Sequence, residues 1–193
     1  MSDDTLARLR KQLAAHDLWP RDSADANAQG QRIALRATGL DSHLDGGLLA
    51  ARLHEFYAAA EADVAALAGF ALGAAACGAA GRPLVRVRQD YLDREAGRVH
   101  PPGLAEIGLD PAALILVRAR DAADALQAGL EAARCPAVGI VLLELWGETR
   151  ALDLTASRRL SLAAQGSGAT VLLTRVAAAP APSAAETRWR VRA

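Results

Sequence analysis

The stretch "RLHEFYAAAEADVAAL", residues 52–67, decides how this chain folds. Arg52 to Tyr57 reads as a strand, and the residues after it begin a helix in which Val64, Leu67, Ala71 and Ala74 share one face. A strand running straight into a helix is half of a parallel βαβ unit. The same alternation continues to the end of the sequence. Leu84 to Arg88 reads as a strand, "PPGLAEIGLDP" as a proline-started helical turn ending at Gly108, and "ALILV", 113–117, as a buried strand. Asp121 caps a helix whose apolar face is Ala122, Ala125, Leu126, Gly129, Leu130 and Ala133. "VGIVLLEL", 138–145, is the most hydrophobic strand and belongs at the sheet centre. A helix over 154–165, closed by Gly166, precedes the strand "TVLLT" at 170–174. "ETRWRVR" alternates Thr187, Trp189 and Val191 with Arg188, Arg190 and Arg192, as a half-exposed strand does. The fold class is therefore α/β, a mostly parallel sheet flanked by helices.

At 193 residues the chain has room for one such domain with terminal extensions. Leu6, Leu9 and Leu13 place an apolar stripe on a charged N-terminal helix within 1–19, and the turn-forming, aperiodic residues 20–32 read as a flexible linker. The core domain then spans 33–193. The start is charged rather than signal-like, and no run of about 18 strongly hydrophobic residues occurs, which predicts a soluble, cytoplasmic protein without membrane association. Cys77 and Cys135 have no CxxC spacing and read as buried, reduced thiols. Lysines plus arginines number 22 and acids 22, so no global field draws in nucleic acid. Lys11, outside the core, is the only lysine in the sequence.

That scarcity bears on the turn after Tyr57. A phosphate-binding loop needs glycines so that backbone N–H groups converge on the phosphates, a lysine to neutralise them, and a hydroxyl to reach the metal. Residues 58–65, "AAAEADVA", supply none of these. The lysine position is Val64 and the hydroxyl position Ala65. Ala58 and Glu61 stand where the loop begins, and Asp63 replaces its last glycine. A carboxylate ~4 Å from a phosphate charge repels it by about 4 kcal/mol at an effective dielectric near 20, roughly a thousandfold in affinity. Conventional ATPase activity is not expected. Glu144 takes the place of the acid that assists magnesium in nucleotide-binding proteins, but without a phosphate loop it reads as an acid bonded to nearby backbone or to the 146–149 turn.

Other chemistry has little support in the sequence. His16, His43, His54 and His100 are scattered without ligand spacing, "QGSG" at 165–168 follows a helix where a nucleophile elbow follows a strand, and the pair Asp93 and Glu95 reads as solvated charge. Neither a metal nor a cofactor is implied. Arginines remain: Arg86 and Arg88 on one strand face, Arg158 and Arg159 on a helix, and Arg175, Arg188 and Arg190, with Trp189, along the last strands. Gathered on one edge, they would suit DNA backbone or an acidic partner; spread, they are a solvated edge.

"TGLDSHLDGGLLAARLHEFY", 38–57, resembles the entry to the ATPase core of RecA recombinases. "LDLTASRRL" at 152–160 and "SAAETRWRV" at 183–191, with "GIVLLELWG" and the 86–126 segment, resemble the ImuA family, the RecA-like accessory proteins of the bacterial mutagenic repair cassette. The resemblance covers about residues 33–193. It places the catalytic glutamate of RecA near Gln89 and the polar switch residue near Thr174, and it leaves no counterpart of the separate C-terminal domain of RecA. It implies a non-catalytic adaptor in translesion synthesis under the SOS response, partnered by the ImuB polymerase-like subunit and, through it, an error-prone DnaE-type polymerase, with RecA as a further partner. The Leu6, Leu9, Leu13 stripe would then dock on the core or on a partner. Single-stranded DNA binding through the arginine edge, and an atypical ATPase using Glu144, are the alternatives.

Overall fold

The computed structural model describes residues 30–79 and 81–193; the Leu6, Leu9, Leu13 stripe and most of the 20–32 stretch lie outside them. In chain order the elements are β1 (Arg32–Ile33), α1 (Thr38–His43), β2 (Leu48–Leu49), β3 (Leu53–Ala58), a 3₁₀ turn (Glu61–Asp63), α2 (Val64–Gly78), β4 (Leu84–Gln89), α3 (Asp90–Glu95), α4 (Pro101–Glu106), a second 3₁₀ turn (Pro111–Ala113), β5 (Leu114–Ala119), α5 (Ala122–Arg134), β6 (Ile140–Trp146), α6 (Leu154–Ser167), β7 (Thr170–Val176) and β8 (Thr187–Val191). Residues 32–193 form one compact unit.

Six strands make a sheet in the order β5-β4-β6-β7-β3-β8, and every neighbouring pair is parallel. β6 lies inside it, as its unbroken apolar run requires. Alternation divides the core in two. Leu53, Val141, Leu143, Leu145, Val171 and Leu173 face α5 and α6, whereas Phe56, Ile140, Leu142 and Leu172 face α2 and α4. Asp121 caps α5 as expected, accepting from the Asp124 N–H at 2.9 Å, and Asp153 caps α6, accepting from the Ala156 N–H at 2.7 Å, each satisfying an orphan donor of its helix.

β1 and β2 form an antiparallel ribbon beside the sheet. The paired glycines of "LDGGL" serve its turn: Gly47 has φ +125, and a side chain there would stand 2.1 Å from the Ile33 carbonyl oxygen. Their role is backbone geometry.

Several expectations need correction. The 113–117 strand is not buried: β5 starts at Leu114, pairs only with β4, and leaves Ile115 52% and Leu116 42% exposed. A continuous apolar run signals burial on both faces but does not say where in the sheet the strand lies. α6 runs through Gly166 and ends at Gly168, whose φ of 82 allows the left-handed cap. Cys77 is half-buried and Cys135 exposed. The stretch Glu61–Gly78, alanine-rich rather than strongly hydrophobic, is long and apolar enough by length and composition to cross a membrane, with a mean hydropathy of 1.3; here Leu67, Ala71, Ala74 and Ala75 turn inward against the sheet.

His54 stitches the layers together. Its Nε2 lies 2.8 Å from the Leu49 carbonyl, and its Nδ1 lies 2.8 Å from the Thr187 hydroxyl, which itself accepts from Trp189 Nε1 at 2.7 Å. These contacts fit one tautomer, a neutral ring protonated at Nε2. Burial pushes the His54 pKa below its usual value, although the Leu49 bond and Glu186 oppose the shift. The unfolded chain therefore takes up this proton first as pH falls. Stability is complete above about pH 6.5 and declines below it, by at most about 1.4 kcal/mol per pH unit for this group. Unfolding between pH 7.5 and 5 should show that slope, and His54→Gln should flatten it; equal slopes would refute the assignment.

Candidate functional site

The turn that follows β3 sits where a parallel α/β sheet presents its ligands, beyond the carboxyl ends of the strands. Ala58 ends β3 in register with Val191, and the Ala59 N–H bonds the Val191 carbonyl at 2.8 Å. The chain then makes a 3₁₀ turn instead of a glycine loop. Asp63 holds that turn: Oδ2 accepts from the Ala60 N–H at 3.0 Å, and Oδ1 from the Ala193 N–H at 3.0 Å. The 3₁₀ turn leading into α2 thus carries the carboxylates of Glu61 and Asp63, with Asp63 at the N-cap of α2, where an anion would otherwise be favoured. Val64 and Ala65 begin α2 with no polar side chain to offer.

Glu144 is not bonded to backbone or to the 146–149 turn, as the sequence suggested. It is 4% exposed and held by two arginines from β4. Arg86 forms a fork, Nε to Oε2 at 2.8 Å and Nη2 to Oε1 at 2.9 Å. Arg88 brings Nε to 2.8 Å from Oε2, a close ionic contact whose angle is not that of a hydrogen bond. Arg88 Nη1 also donates to Asp93 Oδ1 at 2.8 Å and to the Gly97 carbonyl at 3.0 Å. Arg118 joins from β5, contacting Asp90 at 3.0 Å and Asp93 at 3.2 Å. Strand pairing explains the meeting: Arg88 and Glu144 are register partners, Arg86 stands opposite Leu142, and all three side chains point to the α2 side of the sheet.

These contacts remove Arg86 and Arg88 from any exposed arginine edge, and they make Asp93 a buried-side partner rather than a solvated charge. Gln89 accepts from the Trp146 N–H at 2.7 Å. Thr174 is buried beside Glu144 in register.

On the opposite face Arg175 is 4% exposed, with its guanidinium carbon 5.9 Å from the centre of the Tyr57 ring. It too leaves the edge. The Tyr57 hydroxyl donates to Glu55 Oε2 at 2.9 Å. Burial, then the Glu55 charge and that hydrogen bond, push the Tyr57 pKa up to about 12, against the pull of Arg175.

Trp189 is likewise no free contact, since its ring packs 5.8 Å from Phe70 and 6.4 Å from Phe56 between centroids. Arg158, Arg159, Arg188 and Arg190 remain exposed. Arg188 and Arg190 alternate with Trp189 and Val191, which pack on the α2 side, so they lie on the side of the sheet that carries α6. Among the described residues no group of three metal-ligating side chains is assembled.

The Arg86–Glu144–Arg88 cluster was missed, although its signal was present. A strand "LVRVRQ" placed inside a sheet buries Arg86 and Arg88, and buried charge must be paired. Glu144 is the one acid in the apolar run of the neighbouring strand.

No protein-family model matches the chain, and no curated protein sequence matches it either. Among solved structures it is similar to the RadB recombinase, with a TM-score of 0.53 and 19% identity over 75% of this chain and 70% of that one. It is also similar to SulA from Pseudomonas aeruginosa, with a TM-score of 0.45 and 22% identity over 63% of this chain and 97% of that one. The fold is RecA-like.

Proposed function

We propose that this protein is a non-catalytic RecA-like adaptor of SOS-induced translesion synthesis. It acts in the cytoplasm by binding the ImuB polymerase-like subunit and, through it, an error-prone DnaE-type polymerase, with RecA as a further partner. The resemblance of the 152–160 and 183–191 segments to the ImuA family supplies the pathway. The observation that carries the non-catalytic part is the pairing of Glu144 with Arg86 and Arg88. A carboxylate whose charge is balanced by two guanidiniums has little negative potential left to attract magnesium. Asp63 at the start of α2 works in the same direction, because it sets a negative charge where phosphates would lie.

A scaffold with its nucleotide chemistry replaced by internal ion pairs acts through its surfaces. Co-purification of the full chain with ImuB should be equally strong with and without ATP and magnesium. An association that requires ATP would refute the adaptor reading. Retention of single-stranded DNA in place of ImuB, falling steeply with salt, would favour the exposed arginines Arg158, Arg159, Arg188 and Arg190 as a nucleic-acid surface instead.

A further inference from the structure

Between α2 and the α3–α4 segment the sheet is incompletely covered, and the opening is a cavity of about 400 Å³, within the size range of small-molecule sites. Its floor is charged, made by Arg86, Arg88 and Glu144 with Thr174 beside them. Its walls are apolar, with Leu72 and Leu67 of α2 on one side and Val99, Leu104 and Ile107 on the other. Arg98 and His100 line it too and are exposed to solvent.

The floor is not electrically closed. Three arginines line the cavity, Arg86, Arg88 and Arg98, against one lining acid, Glu144, with Asp93 bonded to Arg88 outside the lining, which leaves positive charge in excess. The donors are not exhausted either. Arg86 spends Nε and Nη2 on Glu144, and among the described residues nothing accepts from its Nη1. Arg88 spends only Nη1, and its Nε has no aligned acceptor. Both arginines are at least nine-tenths buried. Of these donors Arg88 Nε is kept from water without an aligned acceptor; that is costly, and a charge-assisted bond from an anion removes the cost.

We propose that this cavity binds a small monoanion, a carboxylate carried on an apolar body, with its head on the free edges of Arg86 and Arg88, gated by Arg98, and its body against Leu72, Leu104 and Ile107. A polyphosphate does not suit the site. Glu144 repels additional negative charge, and the apolar walls would desolvate it without compensation. A free acid and the carboxyl end of a peptide share the required chemistry. The site is separate from the adaptor reading and stands or falls independently of it.

Thermal unfolding of the full chain with octanoate, octanol, octylamine and inorganic phosphate tests the proposal. Octanoate should raise the unfolding temperature saturably while octanol, octylamine and phosphate do not. Arg98→Ala should weaken octanoate binding about tenfold, the size of one lost charge-assisted bond. Ile107→Glu, which places a negative charge at an exposed wall position, should abolish it. A peptide ending in Leu-Phe with a free carboxylate, compared with its amide, separates the sources. Tighter binding of the peptide acid than of octanoate supports a protein chain end, and the reverse supports a free acid. Stabilisation by octanol equal to that by octanoate, no shift with octanoate in the unmodified protein, or undiminished binding in both variants would overturn the proposal.

Discussion

Glu144→Ala should lose about 3–5 kcal/mol of folding stability, the usual consequence of removing one member of a buried ion cluster. The loss arises from what stays behind. Arg86 and Arg88 are 5% and 4% exposed, so without Glu144 two guanidiniums share a low-dielectric layer with Asp93 as their nearest acid. Urea unfolding monitored by far-ultraviolet circular dichroism measures the change. A carboxylate kept for magnesium behaves differently, because its removal relieves repulsion in the empty site and leaves stability equal or higher. A second variant separates charge from packing: Arg86→Met, Arg88→Met and Glu144→Leu together should recover most of the loss, as buried ion clusters replaced by apolar side chains generally do. A Glu144→Ala protein as stable as the parent would show that the cluster does not hold the sheet.

Phe56→Ala should cost a similar amount, about 3–5 kcal/mol, by transfer and cavity terms together. Phe56 is fully buried. It meets Phe70 of α2 edge-on at 5.3 Å between centroids and Trp189 of β8 at 6.4 Å, so one ring joins the helix after the 3₁₀ turn to the edge strand. Its loss should therefore loosen β8 more than the sheet centre. Hydrogen exchange at 187–191 should rise well before that at 140–146, where β6 is buried between β4 and β7. Uniform acceleration across both strands would contradict this anchoring role.

The alternation of strand and helix was readable because a parallel sheet writes itself as apolar strands of four to eight residues separated by amphipathic helices. The cap at Asp121 and the half-exposed last strand come from chemistry local to a few residues. Lateral order in the sheet is not local, and so "ALILV" gave no sign that β5 is an edge. That 58–65 holds no glycine, lysine or hydroxyl is plain from the sequence. The charged cluster beside it was harder to read. Arg86 and Arg88 belong to β4 and Glu144 to β6, strands separated in sequence by α3, α4, β5 and α5. Only their adjacency in the sheet reveals that the acid and the bases answer one another. Reading arginines as surface residues by default hid that Arg86, Arg88 and Arg175 lie in buried strands, where each needs a partner.

Equilibrium titration of the full chain with a fluorescent ATP analogue and magnesium tests the central claim, that internal ion pairs have taken the place of nucleotide chemistry in this RecA-like fold. The account predicts no saturable signal up to millimolar concentrations and none gained on adding magnesium. Micromolar, magnesium-dependent binding that disappears in Glu144→Gln would contradict it.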